Sequence, residues 1–167
     1  MAHSAQRINP KSAEHRPLNF RTLDEAVAEA ERLAAADRAG TLRTTGNWSL
    51  GQTLGHIAFW INTPFDGYPP GLRPPWILRF ILRRRRNMFL QGPMPRGVRI
   101  PKFPEGTLGT EPLSTDEGLA RFRKAAARLK AAPPANPNII LGPLTHDEWI
   151  AMNLNHAALH LGYMHER

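Results

Sequence analysis

The sequence contains no cysteine. That excludes a disulfide framework, a zinc ribbon, an iron–sulfur cluster and a cysteine nucleophile. Any metal must therefore be held by His, Asp or Glu. No apolar run approaches the roughly 20 residues that a bilayer-spanning helix needs. The polar stretch from Met1 to Asn19 has no apolar segment of the kind a signal peptide carries. A cytoplasmic protein is the expectation. Acidic residues are scarce, 14 Asp and Glu against 22 Lys and Arg, for a net charge of +8 with His neutral. This balance favours anionic partners without naming one. No alternating apolar pattern marks a strand, and there is no internal repeat. What remains is a chain of 167 residues, 41% hydrophobic and 22% charged. That composition suits one globular domain over residues 1–167, with residues 1–18 expected as a flexible N-terminal segment.

Four segments open with the same helix-start signal. Thr22, Ser49, Ser114 and Thr145 are followed three residues later by Glu25, Gln52, Glu117 and Glu148. In such a capping box the hydroxyl accepts from a free backbone N–H, and the longer side chain reaches back. The first helix is predicted over Leu23–Asp37, where Leu23, Ala26, Val27, Ala30, Leu33 and Ala34 form one stripe. The second is predicted over Leu50–Ile61, ended by Pro64, and the third over Thr115–Ala131, closed by Pro133 and Pro134. The fourth starts after Thr145 and runs nearly to the C-terminus. The stretch Asn62–Leu113 holds ten of the 16 prolines, and a connection of that length commonly carries function or structure of its own. An extra helix is expected within it over Trp76–Leu90, with Pro75 near its first turn. The simplest architecture is an all-α four-helix bundle with a long Pro-rich connection between helices two and three.

The chemistry lies in the histidines. His156 and His160 are spaced i, i+4, which puts both imidazoles on one helix face. On a helical wheel both fall inside the apolar arc, with Ala151, Asn155 and Ala158 opposite. Buried imidazoles need partners for both ring nitrogens, and a shared metal supplies one. His56, within the second helix, is the best third ligand. His146 is expected to face solvent, His165 lies at the edge of the arc, and His3 and His15 belong to the N-terminal segment. The bland alternative is a pair of core-edge histidines satisfied by carbonyls or water.

Two parts of the chain carry a family likeness. One is Asn47-Trp48-Ser49-Leu50-Gly51-Gln52-Thr53-Leu54-Gly55-His56-Ile57. The other is Gly142-Pro143-Leu144-Thr145-His146-Asp147-Glu148-Trp149 followed by His156-Ala157-Ala158-Leu159-His160-Leu161-Gly162. These resemble the DinB/YfiT-like metalloenzyme family. The opening Arg16-Pro17-Leu18-Asn19-Phe20 with Leu23-Asp24-Glu25-Ala26 resembles a branch of that superfamily whose function is unknown. The resemblance implies a DinB-like bundle with up-down-down-up helices, commonly a dimer, and a divalent metal on His56, His156 and His160. It also implies thiol-dependent transferase or isomerase chemistry using a low-molecular-weight thiol. The family often has Gln after the glycine that ends helix four, where this chain has Tyr163.

A three-histidine site leaves the +2 charge of its ion uncompensated. An open position there acidifies a water, to a pKa of ~7 for zinc, or keeps a thiolate deprotonated. Transfer of a thiol or hydrolysis of a small, anionic substrate both fit. Imidazoles suit zinc, nickel, iron or copper. Gln52, Asn153 and Tyr163 are candidates for orienting the ligands, although Gln52 also reads as a helix cap. Asp66 is a candidate base or substrate contact, or a turn residue. Arg83 and Arg86, from the run Arg83–Arg86, are candidates for holding a substrate carboxylate or phosphate. An alternative function is a non-catalytic basic module binding an anionic membrane surface or nucleic acid through that Arg-rich helix. Trp60, Ile61 and Phe80 suggest a self-association surface.

Overall fold

A computed structural model describes residues 7–72, 74–100, 103 and 106–167. His3 lies outside the described residues. Six helices and one small sheet follow the order α1 (Leu23–Arg38), β1 (Leu42–Thr44), α2 (Leu50–Asp66), α3 (Trp76–Arg84), α4 (Asn87–Leu90), α5 (Thr115–Ala131), α6 (His146–Leu161) and β2 (Met164–Glu166). No described helix is long and apolar enough to cross a membrane.

Three of the four predicted capping boxes are complete, at Ser49, Ser114 and Thr145. At α1 the Thr22 side chain accepts from the Glu25 N–H as expected. The Glu25 carboxylate, however, reaches one residue further back, to the Arg21 N–H at 2.7 Å. Pro64 does not end α2 near Ile61, and the helix continues to Asp66. Removing the proline's N–H frees one carbonyl, but the surrounding groups are satisfied by other donors. The Thr63 hydroxyl donates to the Phe59 carbonyl at 2.7 Å, Gly67 N–H to Thr63, and both the backbone and side-chain N–H of Asn136 to Pro64.

The long helices α1, α2, α5 and α6 share one core. Ala30, Leu33, Leu54, Ile57, Phe122, Leu129, Trp149 and Leu161 lie at its centre, each no more than 2% exposed. Helices α2 and α5 touch backbone to backbone near their N-termini. A Cβ on Gly118 would stand 2.4 Å from the Gly51 carbonyl oxygen, and a Cβ on Gly51 would stand 2.2 Å from that of Leu113. This close approach sets where α2 presents its side chains.

The sheet was not anticipated. Strands β1 and β2 pair antiparallel, with Leu42 opposite Glu166, Arg43 opposite His165 and Thr44 opposite Met164. Three-residue strands are too short to display alternation, and β2 takes residues expected to continue the last helix. Helix α6 stops at Leu161, with Gly162 as its cap. Of the N-terminal segment expected to be flexible, the described residues 7–18 cross this end of the fold. Arg16 N–H donates to the Gly162 carbonyl at 2.8 Å, and its guanidinium reaches Met164 O and the Glu29 carboxylate. Gly162 makes room for it, since a Cβ there would lie 2.3 Å from His15 Nε2. The predicted extra helix is two helices, α3 and α4, broken at Arg85 and Arg86.

Candidate metal centre

His56 sits in the middle of α2, which its capping box and the α5 contact hold in place. His156 and His160 sit one turn apart in the second half of α6. The three side chains meet. Each offers a ring nitrogen, and these nitrogens all lie within 4.8 Å of one another. The ring centroids of His56 and His156 are 5.1 Å apart, and those of the other two pairs 4.6 Å.

His56 is 2% exposed. Its Nδ1 lies 2.8 Å from the Leu108 carbonyl oxygen. A carbonyl only accepts, so Nδ1 carries the proton and Nε2 is left as a lone-pair donor. Among the described residues no hydrogen bond reaches the rings of His156 and His160. All three imidazoles are held neutral. Burial pushes the pKa of His56 down to about 4, against the opposing hydrogen bond to Leu108. Burial, and then the neighbouring histidines, push His156 and His160 well below the ordinary range. Neutral imidazole is the form that binds a metal. Three such donors on two rigid helices, one oriented by a carbonyl, fit a divalent ion, so the cluster could hold a metal.

The triad opens into a cavity of about 600 Å³. Trp48, Trp60, Phe89, Met94 and Met152 give it apolar walls, and Arg7, Lys11 and Arg99 also line it. None of its described lining residues is Asp or Glu. Trp48 stacks on His160, with centroids 5.3 Å apart and planes 24° apart, and leans on His56 at 4.8 Å. The Tyr68 hydroxyl is buried in the wall, and burial pushes its pKa up to about 12.

Of the other sequence candidates, Asn153 and Tyr163 line this cavity, and Gln52, Asp66, Arg83 and Arg86 lie outside its lining. Gln52 completes the Ser49 capping box and donates to the Thr110 carbonyl at 3.2 Å. Neither of these bonds is to a histidine, but the second ties α2 to the loop whose Leu108 carbonyl orients His56. Asn153 lines the cavity, yet its amide donates back to Trp149 O within its own helix. The Tyr163 hydroxyl donates to Pro10 O at 2.8 Å, and its ring packs on His15. Asp66 forms an ion pair with Arg128 at 2.7 Å, on a separate pocket. Arg83 lies against Gly142, and Arg86 pairs with Glu148; neither lines the cavity. His146 does not stand free in solvent, because its Nε2 lies 2.6 Å from Leu129 O. Ile61 is a core residue and Trp60 a cavity wall, so of the three proposed self-association residues only Phe80 is exposed.

A family model described as a protein of unknown function (DUF1569) matches residues 12–167. The chain belongs to that family. No curated protein and no solved structure matches it. The matched region contains every residue of this DUF1569 chain's histidine triad.

Two groups that hold the ligand rings escaped the sequence reading. Trp48 stands immediately before a helix cap, in the same short stretch as His56, and its proximity was a usable signal. The Leu108 carbonyl is a backbone group in an irregular connection, and no residue type announces it.

Proposed function

We propose that this protein is a metalloprotein whose divalent ion is held by His56, His156 and His160 and acts on a small molecule bound in the adjoining cavity. The observation that carries this reading is the convergence of three neutral imidazole donors, from two separate helices, within 4.8 Å at the wall of a cavity of about 600 Å³. A bound divalent ion supplies Lewis acidity at that wall. The chain's own residues do the rest. Leu108 fixes the His56 tautomer, Trp48 packs against the ligand rings, and apolar walls line the space beside them. Lys11 in the lining and a net charge of +8 favour an anionic substrate. The resemblance to the DinB/YfiT-like family extends the proposal to a DinB-like four-helix bundle, a homodimer, and a transferase using a low-molecular-weight thiol or a hydrolase.

Elemental analysis tests the reading. Purified protein, stripped with chelator and reloaded separately with zinc, nickel and ferrous iron, is expected to retain about one ion per chain for at least one of them. The His56→Ala and His160→Ala variants are expected to lose it. Stoichiometric retention in both variants, or no retention of any of the three by the wild type at neutral pH, refutes the site. A thiol-conjugation screen on the loaded protein then tests the transferase reading.

A further inference from the structure

Among the described residues seven large apolar side chains stand exposed, and five of them belong to α3: Trp76, Ile77, Leu78, Phe80 and Ile81. Trp76 is 75% exposed and Phe80 54%. At about 100° per residue, these five share one broad face with Arg84 and Arg85. The partly buried Arg79 and Leu82 point the other way, and Arg79 Nε is fully covered. This inverts the usual pattern of a helix on a globular protein, in which the apolar stripe faces the core. Contacts at and just past its C-terminal end tie α3 to the rest of the fold. Arg86, just past α3, pairs with Glu148 on α6, Asn155 donates to Phe89 O at 3.0 Å, and Arg83 lies against Gly142.

The charges on the face are distinctive as well. Among the described residues at least nine arginines have a carboxylate partner. Arg84 and Arg85 have none. Arg84 lies 4.7 Å above the Phe80 ring, and Arg85 is exposed. Two guanidiniums thus border five outward apolar side chains, on a chain of net charge +8.

We propose that α3 is a membrane-docking helix that lies flat on an anionic phospholipid surface. The headgroup region accepts both parts of the face. Trp76, Ile77, Phe80 and Ile81 enter the boundary with the acyl chains, and Arg84 and Arg85 meet the lipid phosphates. A second copy fits less well, because this face carries no carboxylate to meet Arg84 and Arg85 across a two-fold axis. A nucleic acid fits less well too, since its phosphates would meet apolar side chains before the arginines. The proposal is independent of the metal site.

Flotation of the full-length protein with vesicles tests it, using phosphatidylcholine alone and phosphatidylcholine mixed with phosphatidylglycerol. Binding is expected to the mixed vesicles, weakened by salt, and at least about tenfold weaker to the neutral ones. Arg84→Gln and Arg85→Gln should each weaken it about fivefold. Phe80→Ser combined with Ile81→Ser should weaken it by more than about tenfold while leaving the circular dichroism unchanged, because both residues are exposed. Arg123→Gln, on α5, should leave binding unaltered. Four results would overturn the proposal. They are equal binding to neutral vesicles, equal weakening by Arg123→Gln, undiminished binding by the Phe80/Ile81 variant, and a dimer in sedimentation equilibrium that this variant abolishes. A stronger affinity for duplex DNA than for the mixed vesicles would overturn it as well.

Discussion

The metal-free protein should lose stability on mild acidification, and His56 sets the least size of the loss. Burial lowers its pKa from 6.5 to about 4. The unfolded chain therefore takes up a proton near pH 6.5 that the folded chain refuses until about pH 4. Over that window the unfolded state binds more protons, so stability rises with pH and falls as pH drops. The shift of 6.5 minus about 4, or about 2.5 units, corresponds to about 3 kcal/mol for His56 alone at 1.36 kcal/mol per unit. His156 and His160 shift in the same direction and add to it. The carboxylates act in a lower window. Glu29, despite burial, is held below the carboxylate range by Arg32 and Arg16, so its contribution is lost only on further acidification, as pH falls through that lowered pKa. The assay is urea unfolding of chelator-treated protein at intervals between neutrality and about pH 4.5. Wild type should weaken steadily across this range. A His56→Leu variant should weaken with a visibly shallower slope, having one proton fewer to exclude. A flat wild-type profile, or an identical slope in the variant, would refute the claim that the triad is held neutral.

Three further outcomes follow from the same contacts. Gly118→Ala places a Cβ 2.4 Å from the Gly51 carbonyl, and the overpacking should lower stability by about 2 kcal/mol, despite alanine's better helix propensity, as read by urea unfolding. Ser49→Ala removes the hydroxyl that accepts from the Gln52 N–H at the start of α2, and should cost about 1 kcal/mol in the same assay without changing metal stoichiometry. Loading with nickel or copper should quench tryptophan fluorescence, because Trp48 stacks 5.3 Å from His160. A Trp48→Phe variant should lose part of that response, the remainder coming from Trp60, whose ring lies 6.3 Å from His56, while still binding the metal in elemental analysis.

The helix starts were readable because capping is local chemistry: a hydroxyl and a Glu or Gln three residues apart satisfy each other without help from the rest of the chain. The i, i+4 histidine pair was readable for the same reason, since helical spacing alone places His156 and His160 on one face. Helix ends were harder. Pro64 reads as a stop, but the Thr63 hydroxyl and Asn136, 72 residues away from Pro64, satisfy neighbouring carbonyls so that α2 runs on. Gln52, Asn153 and Tyr163 lie near the triad, yet each has a partner of its own to bind. Proximity along a helix does not reveal which acceptor a side chain will choose.

Sequence by itself determined the helical segments, the histidine pair, the absence of thiolate ligands and the chain's positive charge. These depend on residue type and short spacing. Tertiary structure decided the rest: that His56 meets the α6 pair, that the Leu108 carbonyl fixes its tautomer, that Trp48 closes over the rings, and that α3 turns its apolar side outward. Each of these depends on how close two distant backbones come, as at Gly51 and Gly118. That distance is settled by packing across the whole core.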